Sequence, residues 1–228
     1  MIKTVFLDLD DTILDFHKAE AVAISATFRE LGVEPTGDFL SEYSAINRSC
    51  WARLELGELT REEVLVERFR ILYEAHSLSI SPEKTQALYE DKLSYEHPFM
   101  DGGPELLGEL FGKYDLYIAS NGTAIVQDRR IALTGIAKYF KDIFISQRIG
   151  YNKPSREFFD ICFSRISGFD KSEAIIIGDG LTSDILGGIG AGIKTCYFNP
   201  KRIKNETGIT PDFEVHSLSE IPELLERL

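Results

Sequence analysis

The chain is short of basic charge, cysteine and long apolar runs, and each shortage excludes something. Among its 228 residues, 25 Lys and Arg face 37 Asp and Glu, a net charge of −12. So acidic a chain repels polyanions, which argues against nucleic-acid polymers and membranes as partners. A small anionic substrate is still compatible if a metal and local cations reverse the field at the site. No apolar stretch reaches spanning length and no basic segment leads into an apolar core at the start, so a cytoplasmic protein is expected. The three cysteines, Cys50, Cys162 and Cys196, are odd in number, far apart and without CxxC spacing. They read as reduced thiols buried in the fold. There is no internal repeat and no low-complexity segment.

What is present is enough apolar residue, 43%, for one sizeable core, with or without a smaller appended domain. The most informative stretch is the first dozen residues. Val5, Phe6 and Leu7 read as a buried strand, and the chain then runs into Asp8, Asp10 and Asp11. Carboxylates at the edge of a buried sheet cost free energy unless a cation or a reaction needs them there. Alternation places Asp8 and Asp10 on one side and Leu9 on the other. Such a pair can bind a hard divalent cation, or divide nucleophilic and acid/base duties. Asp11 turns away from the pair, and a structural or hinge role is its default.

Beyond Thr12 the periodicity becomes helical. Amphipathic helices are expected over about His17–Leu31, Asp38–Leu54, Thr60–His76 and Pro82–Tyr95. Thr60-Arg-Glu-Glu63 resembles a capping box, and Ser81-Pro82 a helix entry. After Pro98, strands and helices alternate. Strands are expected at Leu116–Ala119, Ile143–Ile145, Ala174–Ile177 and Lys194–Phe198, and helices near Ala124–Leu133, Ser155–Ile166, Ser183–Ala191 and Ser219–Leu228. Apolar runs separated by helices imply a parallel sheet covered on both faces. The expected fold is therefore α/β, a doubly wound, Rossmann-like parallel sheet formed by residues 1–15 and 98–228, with residues 16–97 inserted as a helical bundle.

In open α/β sheets, ligands bind beyond the carboxyl ends of the strands. Four polar clusters fall there: Asp8 and Asp10; Ser120-Asn121-Gly122; Asn152-Lys153-Pro154; and Gly178-Asp179 through Asp184. Singly, each has an ordinary explanation. Ser-Asn-Gly favours turns, a lysine before proline is usually exposed, and an acid in a first helical turn is usually solvated. Their common placement after strands of one sheet is what points to chemistry.

With these four motifs in this order across nearly the whole chain, the sequence resembles the haloacid dehalogenase-like hydrolases, and the helical insert sits where one class of that family carries a cap domain. An aspartate two positions after the nucleophile, as Asp10 follows Asp8, resembles the family's phosphatases and mutases and not its dehalogenases. The resemblance implies a phosphatase using Mg2+, held by Asp8, Asp179, the Asp10 backbone carbonyl and Asp184 directly, through water or as a partner orienting Lys153. Asp8 would attack phosphorus to form an aspartyl phosphate. Asp10 would protonate the leaving oxygen and then activate water. Ser120 and Lys153 would bind phosphoryl oxygens, helped by the backbone near Asn121 and Gly122. Phosphate monoesters hydrolyse so slowly in water, with enzymatic accelerations up to ~10²¹, that these effects must cooperate. Two carboxylates ~4 Å apart repel by roughly 4 kcal/mol at an effective dielectric near 20, which itself calls for a cation.

The insert is expected to select the substrate. Tyr43, Asn47, Trp51 and Arg53 are candidates, against the rival reading of Tyr43, Ile46 and Trp51 as bundle core. The stretch Trp51-Ala-Arg-Leu-Glu-Leu-Gly57, with Asp-Asp-Thr in the first motif, looks most like the pyrimidine 5′-nucleotidase branch, implying a nucleoside monophosphate. A sugar-phosphate or phosphoglycolate phosphatase is the close alternative. A phospho-acceptor signalling domain, which resembles receiver domains, and a non-catalytic binding protein are more distant ones.

Overall fold

Six short runs rich in β-branched and aromatic residues pair side by side in the computed structural model, which describes residues 1–228. They are β1 (Thr4–Leu7), β2 (Asp115–Ser120), β3 (Asp142–Ile145), β4 (Ala174–Gly178), β5 (Lys194–Phe198) and β6 (Phe213–Val215). The sheet order is β3-β2-β1-β4-β5-β6 and every pairing is parallel. Strand order reverses between β1 and β4, so the sheet is doubly wound with its topological switch point at the end of the first strand. Leu7 stands opposite both Ile118 and Ile177, and Asp8 follows directly.

By contact the chain divides into two compact units, Met1–Phe16 with His97–Leu228, and His17–Glu96. The second unit holds α1 (Phe16–Glu30, all but its first residue), α2 (Gly37–Glu55), α3 (Arg61–Ala75) and α4 (Pro82–Tyr95). The Thr60–Glu63 capping box is formed at the start of α3, and Ser81 caps α4, which opens on Pro82. Aromatic rings from all four helices fill the bundle, with Phe28, Tyr43, Phe69 and Tyr89 all buried and in ring contact. A buried polar chain crosses it. Asn47 donates to Glu20 (2.7 Å), and Arg68 donates to Asn47 (2.8 Å) and Gln86 (2.5 Å). The Arg68 guanidinium also lies over the Phe69 and Tyr89 rings, 5.0 and 4.9 Å from their centroids. Tyr43 and Asn47 are thereby interior residues of the bundle.

The remaining helices belong to the sheet unit: α5 (Gly103–Leu110), α6 (Ala124–Thr134), α7 (Ser146–Ile149), α8 (Arg156–Ser164), α9 (Leu186–Ala191) and α10 (Ile221–Glu226). Successive strand residues enter opposite layers, as the two-residue period requires. Val5 and Leu7 pack with Leu107, Leu110, Ile131 and Ile221, whereas Phe6 packs with Phe158, Phe159 and Phe163. Several elements depart from the expected pattern. The helix expected from Ser183 begins earlier, with a π-helical turn over Leu181–Ile185 that brings Asp184 inward. The edge strand β6 and helix α5 have no counterpart among the expected elements. All three cysteines are free and buried, as expected.

Phe6 is fully buried against rings of β2, β3 and α8. Phe6→Ala is expected to lower unfolding free energy by ~3–5 kcal/mol, measured by urea denaturation. A loss below ~1 kcal/mol would mean that the sheet is not anchored there.

Candidate active site

Asp8 is the first residue past β1, and its N–H still donates to the Ile177 carbonyl (3.0 Å), so the sheet fixes its backbone. Lys153 arrives from the loop between α7 and α8. The Asn121 carboxamide grips its backbone twice, accepting from the Lys153 N–H and donating to the Lys153 carbonyl, each at 2.9 Å. The turn after β2 thereby positions the lysine. Lys153 is 1% exposed, and Nζ donates to Asp8 Oδ1 (2.6 Å), Asp184 Oδ1 (2.5 Å) and the Ala119 carbonyl (2.5 Å). These three bonds account for all its protons. The lysine is thus not the exposed residue that its position before proline would ordinarily suggest.

Asp184 reaches the same place from the π-helical turn, and its Oδ2 accepts from the Gly180 N–H (3.0 Å). Glycine is required beneath it, because a Cβ on Gly178 would lie 2.4 Å from the Asp184 carboxylate. Asp179, half-buried, completes the group. Carboxylate oxygens of Asp8, Asp179 and Asp184 all lie within 4.8 Å of one another.

The electrostatics are unbalanced. Burial above all pushes the Asp8 carboxyl up to about 8, with Lys153 pulling back and Asp184 and Asp10 adding to the rise. Burial, then Asp8 and Asp184, raises Asp179 well above the usual carboxylate range. Burial opposes the Lys153 charge, yet Asp184 and Asp8 raise its pKa above the ordinary value. Fully ionised, three carboxylates around one ammonium would leave two negative charges uncompensated, and the raised pKa values express that deficit. An all-oxygen donor set with that deficit fits a hard divalent cation.

Asp10 has different partners. Its Oδ2 accepts from Gln127 Nε2 (2.6 Å) and its Oδ1 from Arg130 Nη1 (2.5 Å), both on α6. Gln127 Nε2 also donates to Ser120 Oγ (2.9 Å), which accepts the Gly122 N–H as well (3.1 Å). The Ser120 hydroxyl is thus an acceptor twice over, and its one proton is available to donate. The Asp10 carboxylate is not one of the three clustered acids. Asp11 adopts a left-handed conformation (φ 56°), its N–H donating to the Leu14 carbonyl (2.7 Å), which closes the turn that follows the strand.

The structure therefore brings Asp8, Asp10, Ser120, Asn121, Gly122, Lys153, Asp179 and Asp184 to one edge of the sheet unit. Trp51 and Arg53 belong to the other unit. The Arg61 guanidinium lies over the Trp51 ring, 5.5 Å from its centroid, and Arg53 pairs with Glu58 (3.3 Å). Gln127 and Arg130 were not among the residues expected at the site. The available signal was a polar pair interleaved with Val126 and Ile131 on the buried stripe of α6.

A doubly wound sheet with acids, a buried ammonium and a hydroxyl at its switch point defines an α/β enzyme with a carboxylate-based active site. A model of the haloacid dehalogenase-like hydrolases matches residues 2–192, and the chain belongs to that family. YfnB of Bacillus subtilis, a HAD-hydrolase by name, is 37% identical over 98% of this chain and 95% of its own. Its crystal structure, described as bound to magnesium, superposes with a TM-score of 0.94 over 98% of both chains. Pyrimidine 5′-nucleotidase PynA of Streptococcus pneumoniae is 34% identical over 99% of this chain and 95% of its own. Pyrimidine 5′-nucleotidase YjjG of Escherichia coli is 29% identical over 97% and 96%. A glyceraldehyde 3-phosphate phosphatase of Methanopyrus kandleri is 27% identical over 100% and 99%. The protein is a hydrolase of the phosphatase type.

The raised Asp8 pKa has a consequence for stability. Because folding raises it, the folded protein binds this proton more tightly, and the associated stability is lost as pH rises from about 4 towards about 8. In chelator, Asp8→Asn is expected to be more stable than wild type at pH 8, the gap narrowing towards pH 5, with a slope of at most ~1.4 kcal/mol per pH unit. Melting curves across this range check it, and a pH-independent gap would contradict it.

Proposed function

We propose that the protein is a Mg2+-dependent phosphomonoesterase that works through an aspartyl phosphate on Asp8, with nucleoside monophosphates as the favoured substrates. The observation that carries this reading is the separation of two carboxylates only two residues apart. Asp8 sits among clustered acids and the Lys153 ammonium, while Asp10 is held apart by Gln127 and Arg130. This separation supports attack by the first and proton transfer by the second.

Asp8 Oδ attacks phosphorus, and the ester oxygen departs with a proton from Asp10. Asp10, now a carboxylate, takes a proton from the water that attacks the aspartyl phosphate, which releases inorganic phosphate and regenerates Asp8. Such general acid/base participation typically contributes ~10²- to 10⁴-fold. Ser120 donates its free proton to a phosphoryl oxygen, and the backbone at Asn121 and Gly122 borders the group. Lys153 serves another phosphoryl oxygen by exchanging one of its three hydrogen bonds. Held by Asp8, Asp179 and the Asp10 carbonyl, with Asp184 as a ligand or as the orienting partner of Lys153, Mg2+ would neutralise charge on the phosphoryl oxygens. We assign discrimination among leaving groups to Trp51 and Arg53 of the helical unit.

Two relatives named as pyrimidine 5′-nucleotidases support the nucleotide reading. The relative named as a glyceraldehyde 3-phosphate phosphatase supports a second reading, a sugar-phosphate phosphatase with the same chemistry. Comparing kcat/KM for a panel of nucleoside monophosphates and sugar phosphates decides between them, and higher values for the sugar phosphates would establish the second. Asp8→Asn should fold and show no turnover, whereas near wild-type turnover would remove Asp8 as the nucleophile. Mg2+ should raise the melting temperature and excess EDTA abolish turnover. Full activity in EDTA would sink the metal assignment.

A further inference from the structure

Two buried side chains of α6 take no part in the chemistry proposed above, yet they occupy both oxygens of Asp10. We propose that Gln127 and Arg130 are positioning residues that fix the Asp10 carboxylate for proton transfer and tie it to the phosphoryl-binding hydroxyl of Ser120. The inference rests on the reading of Asp10 as the acid/base.

The network admits one arrangement of protons. Gln127 Nε2 divides its two between Asp10 Oδ2 (2.6 Å) and Ser120 Oγ (2.9 Å), while Arg130 Nη1 divides its two between Asp10 Oδ1 (2.5 Å) and Gln127 Oε1 (2.9 Å). Turning the Gln127 amide over would set its oxygen against a carboxylate and its N–H groups against a guanidinium. The amide is therefore locked by charge on both sides. A single carboxamide then fixes the distance between the Asp10 and Ser120 side chains.

Packing alone does not call for these residues. Gln127 and Arg130 are 1% and 0% exposed on the helix face that also buries Val126 and Ile131, where apolar side chains would fill the space without desolvating a guanidinium. The turn after β2 is shaped to admit them. A Cβ on Gly122 would stand 2.2 Å from Gln127 Nε2, so a larger residue there would push the amide off Asp10. The Asp10 side chain itself remains 26% exposed, so it is pinned from the helix side and still reachable by a substrate.

A residue that aims an acid should matter to the first step, loss of the leaving group, only when that group needs a proton, whereas the water-activating second step is common to every substrate. The experiment measures kcat/KM, which reports the steps up to loss of the leaving group, for Gln127→Met, Arg130→Lys and Asp10→Asn on a nucleoside monophosphate or sugar phosphate that the wild type turns over, and on p-nitrophenyl phosphate. The first has an alkoxide leaving group that needs protonation, and the second a phenolate that does not. For Gln127→Met and Arg130→Lys, kcat/KM on the alkyl phosphate should fall ~10²-fold, and on the aryl phosphate at least about 10-fold less, the shared part of the loss coming from the loosened Ser120 hydroxyl. Equal losses on both substrates, or no loss on either, would overturn the proposal. Asp10→Asn separates the two levels of inference. If its kcat/KM falls equally on both substrates, the reading of Asp10 as the acid for the leaving group fails. If it alone shows the selective loss, only the positioning role fails. Gln127→Met keeps the side-chain length and leaves Arg130 in place, so it decides the matter even if Arg130→Lys does not fold.

Discussion

The catalytic edge depends on one buried ammonium. Lys153 is the point at which three separate chain segments meet, because its Nζ bonds to the acid after β1, the last-but-one carbonyl of β2 and the acid of the turn after β4. A lysine so buried is tolerable only with such partners, and the acids are tolerable only with a cation nearby. Each half of this arrangement is the condition for the other. Asn121 makes it specific, since its two bonds to the Lys153 backbone set how far the side chain can reach. A motif that reads as a common turn in sequence thus serves as a bracket for a charge in another loop.

A second cation would make the proposed division of labour possible. Were Asp8 and Asp10 to share the same surroundings, two carboxylates two residues apart would compete for Lys153 and for any metal. Arg130 gives Asp10 a partner of its own, and the Asp10–Arg130 pair leaves the charge balance of the other cluster unchanged. Groups of one chemical type acquire different tasks when their environments differ, and here the environments come from opposite sides, the sheet edge and α6.

Much of this was legible in the sequence because it follows from periodicity. Runs such as Ala174–Ile177 are apolar on both faces, so they had to be strands of a covered parallel sheet, and the residue after each run had to lie at the ligand-binding edge. Asp8 and Ser120 follow from that rule alone, and Asp179 stands one residue further on, past Gly178. Gln127 and Arg130 did not, because polar residues on a helix that packs against a sheet are ordinarily solvated, and their inward orientation depends on the partner that Asp10 supplies from residues far away in the chain. Asn47, expected as a substrate-selecting residue, is interior to the bundle instead, and the sequence hid this for a related reason. Its burial is compensated by Glu20 and Arg68, which no local pattern links to it. The strand β6, three residues long, is set by its pairing with β5 and not by its own composition.

The charge of the whole chain sharpens the argument for a metal. At a net charge of −12 the protein repels a phosphate monoester before contact, and the cluster of Asp8, Asp179 and Asp184, with Lys153 as its only ammonium, adds to that repulsion locally. Ser120 and Lys153 cannot reverse it, since one is neutral and the other is already engaged with two carboxylates. A divalent cation would bring the cluster close to neutrality and loosen the hold of Asp8 and Asp184 on Lys153, freeing a hydrogen bond for the substrate. The site would then attract a dianion only when loaded, so metal binding and substrate binding become coupled through the lysine and not only through shared ligands.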